Sequence, residues 1–184
     1  ATNLYMPSIM RDFPEFHYDE MKSRAENVLT SYLQSITKQN PALLSEGTRE
    51  LKEQLRLRLE MLQNQSQKES FENIHIHRTE IHQYRKQRGR QSIVLQTAVE
   101  YFHALKENGK GSEEHKEQAK YNVELVYIQD QDMIENQEDA GLGLNCPNCG
   151  APLPGLGAKK CIYCDTPIVE YNLRVWNFSR VEEV

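Results

Sequence analysis

No cysteine precedes position 146 in this 184-residue chain, and all four that it holds lie between 146 and 164. A secreted domain stapled by disulfides spreads its cysteines along the chain; clustering points instead to a metal in a reducing compartment. Long apolar runs are missing too. No stretch approaches the roughly 20 apolar residues of a membrane span, and no charged-then-apolar signal segment opens the sequence. Basic charge is scarce. A formal net charge of -5 denies the chain the global electrostatic footprint of a nucleic-acid binder. No GxSxG, Walker, dinucleotide-binding or HExxH motif occurs, no internal repeat is visible, and no carboxylate pair is marked as catalytic.

What is present suffices for one core. With 38% hydrophobic residues, the length allows a single domain of ordinary size and a small appendage. Residues 1–18 read as irregular, with Pro7 and Pro14 as breakers. Asp19 can cap a helix in which Met21, Ala25, Val28, Leu29, Tyr32, Leu33 and Ile36 form one apolar stripe. Asn40-Pro41 ends it and starts a short turn through Leu44. Thr48 caps a second helix to about Gln63, with Leu51, Leu55, Leu59 and Leu62 on one face.

The apolar period then changes to two. Residues 71–85 predict a strand with Ile74 and Ile76 on one face and His75 and His77 on the other. Arg88-Gly89 supplies a turn. Residues 91–105 predict a second strand, Ile93, Leu95, Val99 and Tyr101 facing one way and Val94, Ala98 and Phe102 the other. A polar loop with Gly109 and Gly111 leads to a third strand, 120–129. An acidic linker, 130–139, precedes the cysteines, and 168–181 predicts a last strand with Trp176 and Phe178 on one face. Helices followed by an antiparallel meander predict an α+β fold.

The cysteine text is CPNCGAPLPGLGAKKCIYCDTPI: two CxxC pairs separated by eleven residues. Two intervening residues let both thiolates reach one ion while the turn aims its amides at sulfur. Cys146, Cys149, Cys161 and Cys164 are therefore expected to hold a structural Zn²⁺. Two disulfides, a redox CxxC or an iron centre are the alternatives. Four thiolates leave no open coordination position, so the site is a staple. The segment is too small to bury a core, and the metal must supply much of its folding energy. Gly150 suits the turn after the first pair; Asp165 stands at the equivalent place after the second.

Two other groups stand out. His75, His77 and His82 could bind a second metal, although exposed polar neighbours are the plainer reading. Arg85, Lys86, Arg88 and Arg90 place a basic run at the first hairpin tip. Such a run is either a solvated turn or a contact for an anionic partner: a lipid headgroup, an acidic protein or RNA.

The order of these elements resembles the mitochondrial import inner-membrane translocase subunit 44-like domain family. The resemblance rests on Asp19 to Leu44, Thr48 to Leu62, the strands at 71–85, 91–105 and 120–129, and the closing run YNLRVWNFSRV. It implies helices packed as a cone on a curved antiparallel sheet, similar to nuclear transport factor 2-like and cystatin-like folds. It also implies a non-enzymatic role in tethering proteins near a membrane. The chain departs from the mitochondrial pattern by an inserted zinc ribbon and looks like bacterial relatives that carry one. The expected organisation is a main domain of 15–139 plus 168–184, with the ribbon at 141–167. The expected partners are an unidentified protein and an anionic membrane surface. The expected location is the reducing cytoplasm, with tethering to the inner face of a membrane through a segment outside this chain. Two rival readings stand beside this one. One is an enzyme or small-molecule binder using the cone pocket, which a buried Asp or Glu would favour; Glu124 lies on the polar face of its strand, and Glu100 shares a face with Val94 and Ala98. The other is a nucleic-acid-binding ribbon, for which Lys159 and Lys160 are the basic residues.

Overall fold

Amphipathic stripes and turn residues decide most of the element boundaries in the computed structural model, which describes residues 1–111, 113–128, 148–151, 160–166 and 175–184. The elements are α1 (Thr2–Asp12), α2 (Tyr18–Lys38), a 3₁₀ turn (Pro41–Leu43), α3 (Arg49–Asn64), β1 (Gln67–Gln87), β2 (Arg90–Glu107), β3 (Lys110–Gly111), β4 (His115–Ile128) and β5 (Val175–Glu183). The fold class is α+β, as expected.

Every stripe residue of α2, from Met21 to Ile36, is buried. Asp19 does not cap this helix. His17 occupies the cap position, and Asp19 and Glu20 sit in the first turn, where their charge complements the helix dipole. Gln39 ends the helix in a left-handed conformation, φ 56°, and Asn40 Oδ1 accepts from the Ala42 amide to start the 3₁₀ turn. Thr48 caps α3 through a 3.3 Å bond from the Leu51 amide to its hydroxyl. Leu51, Leu55 and Leu62 of α3 are buried, and Leu59 packs at the margin.

The expectation of irregular structure over residues 1–18 holds for 13–17, where Pro14 sits in a turn, but is wrong for Thr2–Asp12. α1 runs through Pro7, which removes one backbone donor from the helix. Pro7 is exposed, so the carbonyl it leaves unbonded can be hydrated, while Ile9 is fully buried and Tyr5, Met6 and Phe13 pack against the core. Tertiary burial of that face outweighs the breaker.

The sheet is antiparallel in the order β1-β2-β4-β5, with β3 beside β2. Both hairpins turn on two residues. Arg88-Gly89 joins the Gln87↔Arg90 pair, with Gly89 at φ 73°, and Asn108-Gly109 joins Glu107↔Lys110 with both φ positive. The strands extend further than the apolar alternation suggested. β1 starts at Gln67 and β4 at His115, because cross-strand pairing continues through polar residues there. Along β1, Asn73 at φ 52° coincides with a register shift between Glu72 and His75.

One face of the sheet carries the core. Ile93, Leu95, Val99 and Tyr101 of β2 join Tyr121, Val123 and Leu125 of β4 and Phe178 and Val181 of β5 under the three helices. β5 returns to the sheet beside β4, from Tyr121↔Glu183 to Ile128↔Val175. The expected pairing of the last strand thus holds for 175–183, whereas 168–174 lie outside the described residues, as does the acidic linker 130–139. Trp176 and Phe178 do share a face: Phe178 is fully buried, and Trp176 meets Phe13, Phe16 and Tyr127 edge-on or tilted, at 4.9–5.5 Å.

Both edges are occupied by side chains instead of being left as bare templates. On β1, Thr37 Oγ1 accepts from the Phe71 amide at 2.9 Å, Thr2 Oγ1 from the Ile81 amide at 2.9 Å, and Tyr18 donates to the Thr79 carbonyl at 3.0 Å. On β5, Gln54 donates to the Val181 carbonyl at 2.6 Å and accepts from its amide at 3.4 Å, doing the work of a neighbouring strand.

Candidate metal centre

Short turns bring the cysteines together. Cys161 begins a tight loop in which its amide donates to the Thr166 carbonyl and the Asp165 amide donates back to the Cys161 carbonyl, both at 2.9 Å. After each CxxC pair the chain turns through a left-handed residue, Gly150 at φ 75° and Asp165 at φ 60°. The equivalence of these two positions, suggested by the spacing alone, is therefore realised in the backbone.

The sulfur atoms of Cys149, Cys161 and Cys164 lie within 4.8 Å of one another, close enough to hold one metal ion. Sγ of Cys149 and Sγ of Cys161 are 3.7 Å apart. Thiolates around a tetrahedral ion with bonds of ~2.3 Å stand about 3.8 Å apart, whereas a disulfide would need ~2.05 Å. The fourth expected ligand, Cys146, lies outside the described residues.

Donors surround these sulfurs as they would a metal-bound thiolate. The Tyr163 amide donates to Cys161 Sγ at 3.4 Å, the amide aimed at sulfur that the CxxC spacing predicts. Thr166 Oγ1 lies 3.0 Å from Cys164 Sγ and Asn148 Nδ2 3.7 Å from it. The Thr166 hydroxyl and then its amide favour the thiolate most, so the Cys164 thiol is brought down to about 6. Cys161 is fully buried, while Ile162 and Tyr163 between it and Cys164 stand 62% and 68% exposed. The local turn points sulfur inward and two large apolar side chains outward.

The remaining sequence expectations fare differently. Arg85, Lys86, Arg88 and Arg90 do share the first hairpin tip, but two of them are engaged elsewhere. Lys86 Nζ is 2.5 Å from Asp12 Oδ2, and Arg90 Nη2 lies 3.1 Å from Glu124 and 3.5 Å from Glu50. Asp12 is held below the usual carboxylate range by its bonds to Lys86 and Tyr84. Arg85 and Arg88 remain as exposed cations at the tip. His75, His77 and His82 are all exposed, and His77 meets Glu100 at 3.0 Å. Lys160 pairs with Asp165 at 3.5 Å, and Lys159 lies outside the described residues.

Sequence reasoning passed over a group at the end of the core face. Glu69 is a buried carboxylate bonded to Arg58 at 2.6 Å and to His103 at 2.8 Å; His115 and Glu117 lie beside it. The sequence held no direct signal for it: the two-residue turn alone would set His103 opposite Glu114, and a one-residue shift of register makes His115 its cross-strand partner. A cleft of 820 Å³ opens where the end of α3 meets that hairpin, lined in part by Leu59, Leu62, Lys68 and Lys106.

No family model and no curated protein matches the chain. No helix among the described residues is long and apolar enough to cross a membrane.

Proposed function

We propose that this chain is a non-catalytic interaction or tethering module whose cysteine segment is a zinc ribbon inserted between β4 and β5. Cys146, Cys149, Cys161 and Cys164 would hold Zn²⁺ as a closed four-thiolate site. When bound, the ion supplies folding energy and no open position for chemistry. The observation that carries this reading is the convergence of three described cysteine sulfurs, two of them at the edge length of a thiolate tetrahedron. The role of the ribbon follows from what it presents. Ile162 and Tyr163 gain nothing from exposure, and a metal-held turn pre-organises them for a protein partner.

The order of helices and strands supports membership in the translocase subunit 44-like family and its cone-shaped relatives, with a partner near a membrane. Arg85 and Arg88 are the residues of the basic tip that remain suited to an anionic surface. Glu69, the buried acid that would favour an enzyme, is already engaged by Arg58 and His103.

Photocrosslinking tests the interaction reading. A benzophenone side chain in place of Tyr163 should capture a protein partner in cells of the source. Capture should disappear when Cys161→Ser removes the metal and should persist when Arg85 and Arg88 are replaced by Ser. Absence of any crosslink from position 163 while zinc remains bound contradicts a partner surface on the ribbon.

A further inference from the structure

Where the core face of the sheet runs out of apolar residues, histidine and carboxylate take over. His103 of β2 pairs across the sheet with Phe71 of β1 on one side and His115 of β4 on the other. His103, His115 and Glu117 each offer one ligand atom, all within 4.8 Å of one another. The group is separate from the cysteines and from the exposed His75 and His77.

Each histidine has an outer acceptor on one ring nitrogen and Glu117 Oε1 on the other. Nδ1 of His115 is 3.2 Å from the Glu113 carbonyl oxygen, which can only accept. A neutral His115 with its proton on that nitrogen turns the lone pair of Nε2 toward Glu117. Nε2 of His103 is 2.8 Å from Glu69 Oε2, a buried carboxylate whose other oxygen receives Arg58 at 2.6 Å. In a neutral His103 whose Nε2 proton goes to that carboxylate, the lone pair sits on Nδ1. Both lone-pair nitrogens then face one oxygen. Glu117 Oε1 is 3.1 Å from Nδ1 of His103 and 2.8 Å from Nε2 of His115. With the rings in these two neutral forms, three electron-rich atoms face one another, and positive charge among them, from a metal ion or from ring protons, is what holds them at these separations.

We propose that this charge is a divalent metal ion, held by Nδ1 of His103, Nε2 of His115 and Oε1 of Glu117, with water completing the coordination. Two imidazoles and one carboxylate suit Zn²⁺; donors bound tetrahedrally at ~2.1 Å stand about 3.4 Å apart, so the 3.1 and 2.8 Å contacts widen slightly as the ion enters. Glu69 and the Glu113 carbonyl are the outer acceptors that fix each ring's tautomer and aim its remaining nitrogen, as partners of metal-bound histidine do. Unlike a four-thiolate staple, this site keeps a position for an exchangeable ligand, and His115 lies in the open where a metal can enter.

The test is a calorimetric titration of the whole chain, its cysteines already loaded with zinc, with ZnCl₂ at neutral pH. One further zinc should bind per chain. His115→Gln, at an exposed position that does not threaten folding, should weaken this event at least tenfold. Glu69→Gln should weaken it by about 10–100-fold at unchanged stoichiometry. Cys149→Ser should lose the cysteine-bound zinc and retain the new event, so the two sites can fail independently. The proposal is overturned if the native chain shows no second event, or if His115→Gln binds as the native chain does. It is equally overturned if imidazole ¹⁵N spectra show both rings doubly protonated and unmoved by zinc, which assigns the charge to protons.

Discussion

Asp165 carries the most informative backbone angle in the metal centre. At φ 60° it occupies the left-handed region that Gly150 occupies at φ 75° after the first CxxC pair. Aspartate tolerates this region better than most residues, whereas a β-branched side chain does not. Its contact with Lys160 is between two exposed groups and contributes little. Asp165→Gly should therefore leave zinc affinity equal or raise it. Asp165→Val should weaken it by ~1–2 kcal/mol, or roughly 5–30-fold, in a chelator competition. Equal affinities for the Gly and Val forms contradict the turn geometry. The equivalence of positions 150 and 165 could be read from the CxxC repeat because the motif sets its own local geometry. The group at His103, His115, Glu117 and Glu69 could not. Those residues are separated by up to 48 positions (from Glu69 to Glu117), and it takes the turn at Asn108-Gly109 together with a one-residue shift of register between the Lys106↔Gly111 and His103↔His115 pairs to bring His103 opposite His115.

Among the elements, β5 binds the most distant parts of the chain together. It pairs with β4, receives the start of α3 through the 2.9 Å bond from the Thr48 amide to the Phe178 carbonyl, and has its edge covered by Gln54. Arg24 of α2 also donates to the Trp176 carbonyl at 3.2 Å. Truncation after Asp139 should therefore destabilise the main domain and not simply remove a tail. Phe178→Ala provides a milder form of the same test. Loss of a fully buried phenylalanine costs ~3–5 kcal/mol, a large part of a typical domain's stability. Both chains should melt well below the native one by circular dichroism, and an unchanged midpoint for either contradicts the role given to β5. The two long helices were readable because seven and four apolar residues, respectively, recur at helical spacing. α1 was not, because Pro7 is a strong local signal and the burial of Ile9 is a tertiary fact. The full lengths of β1 and β4 were hidden for the same reason: Lys68, Glu69, His115 and Glu117 pair in register without any apolar alternation.

For the molecule as a whole, a net charge of -5 opposes approach to an anionic surface, and Lys86 and Arg90 are partly neutralised by Asp12, Glu50 and Glu124. If the hairpin tip docks on a membrane, Arg85 and Arg88 together supply ~2 kcal/mol of salt-sensitive attraction. Co-sedimentation with anionic vesicles should then fall when both become Ser, and fall less when Lys86 does. Equal binding by all three chains returns the tip to the role of a solvated turn. The cysteine segment lies in the chain between two adjacent strands of one sheet, so its metal and the main domain can be separated experimentally. The most direct measurement is zinc absorption spectroscopy on the purified chain after brief dialysis against a weak chelator. The account predicts one tightly held zinc per chain in a shell of four sulfurs at ~2.3 Å. A tightly held zinc with nitrogen or oxygen in its shell, or a reduced chain that retains no metal, contradicts it.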